Sequence, residues 1–141
     1  YADCENGIKE YSAKSKIKII STGYMTHKAL EISQELKFNV DVVDLYRFKP
    51  LPEENLVSIL QEADYVYTLE ENAPIGGLGS IVSELITDNE ISVKLKRMCL
   101  DDKHEKEFGS RDWLIENSGL KKKEIKETIM EKYNEYENLK R

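Results

Sequence analysis

The sequence predicts a layered α/β sandwich built on parallel strands. Short β-branched runs alternate with amphipathic stretches in the order β-α-β-α-β-α-β. That order folds as strands joined by right-handed helical crossovers. The run Val40, Val42, Val43 and Leu45 is too evenly apolar for a half-exposed strand, and it suits a parallel strand covered on both faces. Between Asp64 and Ile86 a β-rich run gives way to Glu70-Glu71-Asn72, a proline, the glycines 76, 77 and 79, and then a helical pattern. Such strand-to-helix corners are where ligands and neighbouring domains dock in α/β sheets.

Residues 1–15 lack sustained periodicity and read as a linker or extended lead-in, which places the folded domain at 16–141. Lys16 to Thr22 supplies Ile17, Ile19 and Ile20 for a first strand ending at Gly23. Met25, Ala29, Ile32 and Leu36 recur at helical spacing, so residues 24–37 form an amphipathic helix. The second strand follows at Val40 to Leu45, and Arg47-Phe48-Lys49-Pro50-Leu51-Pro52 breaks the chain. Pro52 suits the first turn of the next helix, where its missing N–H costs nothing; Leu56, Ile59, Leu60 and Ala63 stripe that helix. Tyr65 to Leu69 is the third strand, and the glycine corner opens a helix striped by Leu78, Val82 and Leu85 or Ile86. Ile91, Val93, Leu95 and Met98 suggest a fourth strand. A short helix at 112–117 is stopped by Gly119, and the last helix, at about 121–139, carries Ile125, Ile129, Tyr133 and Tyr136 on one side. Trp113 and those two tyrosines read as anchors onto the domain body, with a dimer contact as the other use of such aromatics.

Composition bounds the function. With 141 residues the chain fits one domain, and a net charge of −6 argues against a nucleic-acid binder. The one basic cluster, Lys121-Lys122-Lys123, is followed by Glu124 and Glu127 and reads as a solvated helix start. Cys4 and Cys99 are isolated, with no metal spacing; scattered thiols and no signal peptide fit a reducing cytosol, so a cytoplasmic location is expected, although sequence leaves a Cys4–Cys99 bond open. No apolar run approaches the roughly 18–20 residues of a membrane span. Beginning at Tyr1 without methionine, the chain reads as an excised piece or trimmed fragment of something longer.

Candidate site residues concentrate at the glycine corner. Gly76, Gly77, Gly79 and Ser80 open a helix whose N–H groups attract an anion. The same glycines also allow tight packing against another domain, and this use is favoured because Glu70 and Glu71 repel a phosphate. On that reading Gly77→Val costs association more than folding. A dinucleotide fingerprint fails, since Val82 stands where its third glycine belongs. Glu70 and Glu71 are adjacent in an extended strand and point to opposite faces, so they cannot flank one reacting bond. One is expected to cap the loop or helix, with the helix N–H groups as receivers for its carboxylate, and the other to face a partner. His27, in the first turn after the first strand, stands at the edge of any such site, or is simply a helix-surface residue. His104 lies in the charged loop Asp101-Asp102-Lys103-His104-Glu105, which lacks the pattern of a calcium loop and reads as solvated. Arg47 and Lys49 make a basic corner, either pairing with an acidic partner surface or simply exposed on a rigid crossover.

Several separated motifs resemble one family in register. They are Ile20-Ser21-Thr22-Gly23 followed by residues 24–30, Val42 to Leu51, Leu69-Glu70-Glu71-Asn72-Ala73 with Gly76-Gly77-Leu78-Gly79-Ser80, and Phe108-Gly109-Ser110 ahead of Gly119-Leu120. Together they resemble the C-terminal domain of transketolases and 1-deoxyxylulose-5-phosphate synthases, across roughly residues 16–120. The resemblance implies a three-layer α/β/α sandwich with a mixed, mostly parallel sheet and one reversed edge strand. It implies a domain that packs against the pyrimidine-binding domain and supports a homodimer, in an enzyme using thiamine diphosphate and magnesium. The family's GDG motif, carried by its diphosphate-binding domain, is absent here. The glutamate that activates the thiamine belongs to the pyrimidine domain, and neither domain fits in this length. The expectation is therefore a chain with no catalytic residue, metal ligand or cofactor of its own, excised from or split off a parent that transfers two-carbon ketol units. A deoxyxylulose-phosphate synthase parent is the near alternative. A stand-alone module holding a small anion or a protein is the alternative of another class.

Overall fold

The computed structural model describes residues 6–12, 14–104 and 106–139. Five strands form one sheet: β1 (Ile8–Tyr11), β2 (Ile17–Ser21), β3 (Asp41–Leu45), β4 (Tyr65–Leu69) and β5 (Lys94–Met98). Their spatial order is β1-β3-β2-β4-β5. The four later strands are parallel, and β1 runs antiparallel to β3. The helices are α1 (Tyr24–Glu35), α2 (Glu53–Gln61), α3 (Leu78–Asp88), α4 (Arg111–Asn117) and α5 (Lys122–Leu139). This is the mixed, mostly parallel α/β sandwich anticipated from the sequence.

Strand side chains alternate between two cores because the strand period is two. Ile17, Ile19, Val42, Tyr65, Tyr67 and Leu69 face α1, α4 and α5, meeting Met25, Ile32, Ile115, Ile125 and Ile129. Ile20, Val43, Leu45 and Val66 face α2 and α3, meeting Leu56, Leu60, Leu78 and Val82. Both faces are covered, which is why the central strands read as unbroken apolar runs.

Two elements differ from the sequence expectation. Within the segment read as a lead-in, Ile8–Tyr11 is a strand on the sheet edge, paired with Leu45 to Val42. Its partner lies more than thirty residues away, so no local pattern in so short a run announces the pairing. The last strand is Lys94–Met98, leaving Ile91 and Val93 in the connection from α3. It is an edge strand with alternating exposure, which dilutes its apolar signal. Cys4 and Glu105 lie outside the described residues.

The edge strand is tied in by a buried charge. Lys18 is fully buried and its ammonium lies 3.1 Å from Glu10 of β1 and 3.4 Å from the buried Asp41 of β3. Asp41 also accepts the Ser15 N–H at 2.8 Å. On the outer side, Lys122 and Lys126 of α5 reach the Glu35 carboxylate of α1 at 2.6 and 2.7 Å. Lys122 thus joins two helices, where the lysine run had suggested solvation alone.

Candidate functional site

The four parallel strands all exit at one edge of the sheet, here called the carboxyl edge, and the glycine corner lies there. β4 delivers Glu70 to this edge on the face occupied by α3, in step with Val66 and Thr68. The Glu70 side chain is completely buried. Its Oε2 accepts the Leu78 N–H and its Oε1 the Gly79 N–H, both at 2.7 Å. A carboxylate at a helix N-terminus satisfies backbone donors left without partners and sits at the positive end of the helix dipole. α3 has no cap from its own Gly77, so Glu70 does that work from eight residues upstream.

The glycines make room for this carboxylate. A Cβ on Gly77 would stand 2.0 Å from Glu70 Oε2, and one on Gly79 would stand 3.0 Å from Oε1 and 2.6 Å from Arg97 Nε. The close approach that glycine permits at positions 77 and 79 is therefore to the chain's own acid. Arg97 of β5 closes the corner by donating to the Pro74 carbonyl, with Ser80 Oγ at 3.5 Å. Ser80 Oγ in turn accepts the Gly76 N–H at 3.0 Å.

Glu71 turns to the other face, as strand alternation requires, and accepts two hydrogen bonds from the Arg111 guanidinium at the start of α4. That guanidinium lies over the Tyr24 ring, 4.3 Å from its centroid. The Tyr24 hydroxyl donates to Asp112 at 2.6 Å, and Lys28 reaches the same carboxylate at 3.0 Å. The Tyr24 hydroxyl and Lys28 together hold the Asp112 carboxyl below its ordinary range, while the Glu71 carboxylate raises Arg111 further. This network pins the start of α4 to the carboxyl edge. Sequence reasoning missed it, because its members come from three segments with no shared motif.

The remaining candidates scatter. Asn72 accepts the Leu100 N–H through its carbonyl at 3.0 Å, and His27 is exposed in the first turn of α1. His104 is exposed, and Asp101 pairs with Lys103 at 3.4 Å. Arg47 Nε donates to the Pro50 carbonyl at 3.0 Å. Burial pushes the Cys99 thiol up. Trp113 is not a buried anchor: it covers Gly109 and remains 39% exposed. Tyr133 stacks on Phe38 at 3.7 Å, and the Tyr136 hydroxyl donates to Asp64. Among the described residues no three His, Cys, Asp or Glu side chains gather as a metal site, and no helix is long and apolar enough to cross a membrane.

The corner does not fit a diphosphate. Its two forward N–H donors are already bonded to Glu70, and a second anion would stand against that carboxylate.

Fold and corner together define a doubly covered α/β domain whose helix N-terminus is closed by an internal acid. The chain belongs to the family described as the transketolase C-terminal domain, which it matches over residues 8–125. It is 34% identical over 123 residues to a 1-deoxy-D-xylulose-5-phosphate synthase of Caldanaerobacter subterraneus subsp. tengcongensis, covering 85% of this chain and 20% of that protein. It is 35% identical over 118 residues to a putative transketolase C-terminal section of Methanocaldococcus jannaschii, covering 82% of this chain and 36% of the relative. Among solved structures, a split-gene transketolase described as an inactive beta4 tetramer aligns with a TM-score of 0.74 at 28% identity, over 87% of this chain and 41% of that one. The chain thus spans about a fifth to two-fifths of these relatives' lengths.

Proposed function

We propose that the chain is the C-terminal section of a thiamine-diphosphate-dependent ketol transferase and works by assembly, with the chemistry carried out in sections it does not contain. The observation that carries this reading is the Glu70 carboxylate seated in the N-terminus of α3. The position in the fold best suited to hold a phosphate is filled from within, so the corner is a built wall and not a receptive site. Glu71, Asn72, Gly76 and Ser80 then shape the outer surface of that wall, with His27 at its rim. Thiamine diphosphate and magnesium belong to the pyrimidine-binding and diphosphate-binding domains of the parent, a cytoplasmic homodimer. The filled corner also weighs against the small-anion module.

The test has two arms. Calorimetry of the 141-residue chain with thiamine diphosphate and magnesium is expected to show no saturable binding; a saturable isotherm overturns the proposal. Co-expression with the cofactor-binding section of the same enzyme is expected to give a complex that transfers a ketol unit between sugar phosphates. The similarity to a 1-deoxy-D-xylulose-5-phosphate synthase favours a second reading of the parent. Turnover of pyruvate with glyceraldehyde phosphate, in place of ketol transfer between sugar phosphates, selects it.

A further inference from the structure

Five large apolar side chains are notably exposed among the described residues: Phe48, Ile75, Phe108, Trp113 and Met130. Single exposed apolar residues are ordinary, but the location of these is not random. Phe48 follows β3, and Ile75 lies in the loop leaving β4. Phe108 and Trp113 flank the start of α4, which the Glu71–Arg111 and Tyr24–Asp112 contacts hold at the same edge. Four of the five therefore crown the carboxyl edge. Ile75 is 87% exposed and Phe108 wholly so. Met130 lies elsewhere, beside Glu35 and Phe38 past the far end of α1.

The edge strand supplies the direction of approach. β1 is antiparallel to β3, with Ile8 opposite Leu45, so the chain enters the sheet at the carboxyl edge. The Gly7 carbonyl is fastened there by the N–H groups of Tyr46 and Arg47 at 3.2 and 3.1 Å. Polypeptide preceding β1 in a fused enzyme is delivered to this same surface. Relatives about five times the length of the matched region, as the 20% coverage implies, have a large section to place against the domain.

We infer that the apolar crest of the carboxyl edge, Ile75 and Phe108 with Trp113 and Phe48, is the surface on which the cofactor-binding section of the enzyme seats. This rests on the reading of the chain as a C-terminal assembly section. Aromatic and large aliphatic side chains are the usual energetic centre of such contacts. The Glu70-closed corner and the Glu71–Arg111 bridge hold the segments carrying Ile75, Phe108 and Trp113, so that part of the crest is presented preformed and needs little ordering on binding.

The experiment uses the complex of this chain with the enzyme's cofactor-binding section. Ile75→Asp and Phe108→Asp are each expected to raise the dissociation constant about thirtyfold. Met130→Asp changes it less than about twofold, and the isolated chain keeps its melting temperature in all three, as surface changes do. Should aspartate lower the melting temperature, serine at the same positions decides the matter by the same readout. Wild-type affinity in the Ile75 and Phe108 variants overturns the inference and leaves the assembly reading standing. A dimer of the isolated chain broken by the same variants assigns the crest to a second copy and also overturns it. A wild-type chain that forms no complex overturns the assembly reading, and the inference with it.

Discussion

Glu70 and Glu71 are chemically identical neighbours with opposite fates, and a strand period of two separates them. Glu70 is buried and accepts two helix N–H groups; Glu71 meets Arg111 in the open. Hydrogen bonds to an ionised group contribute more than neutral ones, and a buried donor left unpaired is costly. Glu70→Ala is therefore expected to destabilise the domain by about 3 kcal/mol, read as a drop in melting temperature on the order of 10 °C. Glu70→Gln, which keeps an acceptor, loses less. Gly77→Ala drives a methyl group into the same carboxylate and costs about 2 kcal/mol by overpacking. In a Glu70→Ala background the Gly77 change costs distinctly less, and chemical denaturation of the four proteins measures that coupling. Equal costs in both backgrounds would show that the two residues do not meet.

Between elements, two ionic ties behave differently because one is buried and the other is wet. Lys18 is shut in with Asp41 beneath the edge strand. Removing one partner of a buried pair strands the other, so Lys18→Ala is expected to cost about 3–5 kcal/mol. Faster hydrogen exchange in Ile8–Tyr11 is the accompanying sign that β1 has loosened; unchanged exchange there would assign the tie to β3 alone. The α1–α5 tie is exposed and titrates. Hydrogen bonds from Lys122 and Lys126 hold the Glu35 carboxyl at about 2, below its ordinary 4.5. The unfolded chain binds that proton more readily than the folded one, so the contribution is complete above pH 4.5 and drains away as the pH falls toward 2. In the Lys122→Ala, Lys126→Ala double variant the Glu35 titration, followed by NMR, is expected to return toward 4.5, with a smaller acid-induced loss of stability.

At the scale of the whole molecule, the domain is covered on both faces of its sheet and bare along one edge. The faces are closed by helices, and four of the five exposed large apolar side chains among the described residues stand at the carboxyl edge, which is where the proposed assembly would bury apolar surface. If the crest is an interface, the isolated chain should bind a hydrophobic dye at this edge and the complex should not. Fluorescence that persists unchanged in the complex would place the interface elsewhere.

Local pattern carried most of the fold. Helical spacing, the apolar parallel strands and the corner's residue types were legible along the chain, because each depends on neighbours within a few positions. Alternation alone separated Glu70 from Glu71. Which of them entered the helix was decided by the face to which α3 returns, and that is a matter of tertiary packing. The strand at Ile8–Tyr11, the burial of Lys18 and the Tyr24–Asp112 and Glu71–Arg111 contacts were likewise beyond local reading. Each joins residues far apart in the chain, whose meeting depends on strand order and register. Ile75 and Phe108 appear in the sequence only as apolar residues among glycines and charges; their position on one rim exists only once four parallel strands end together.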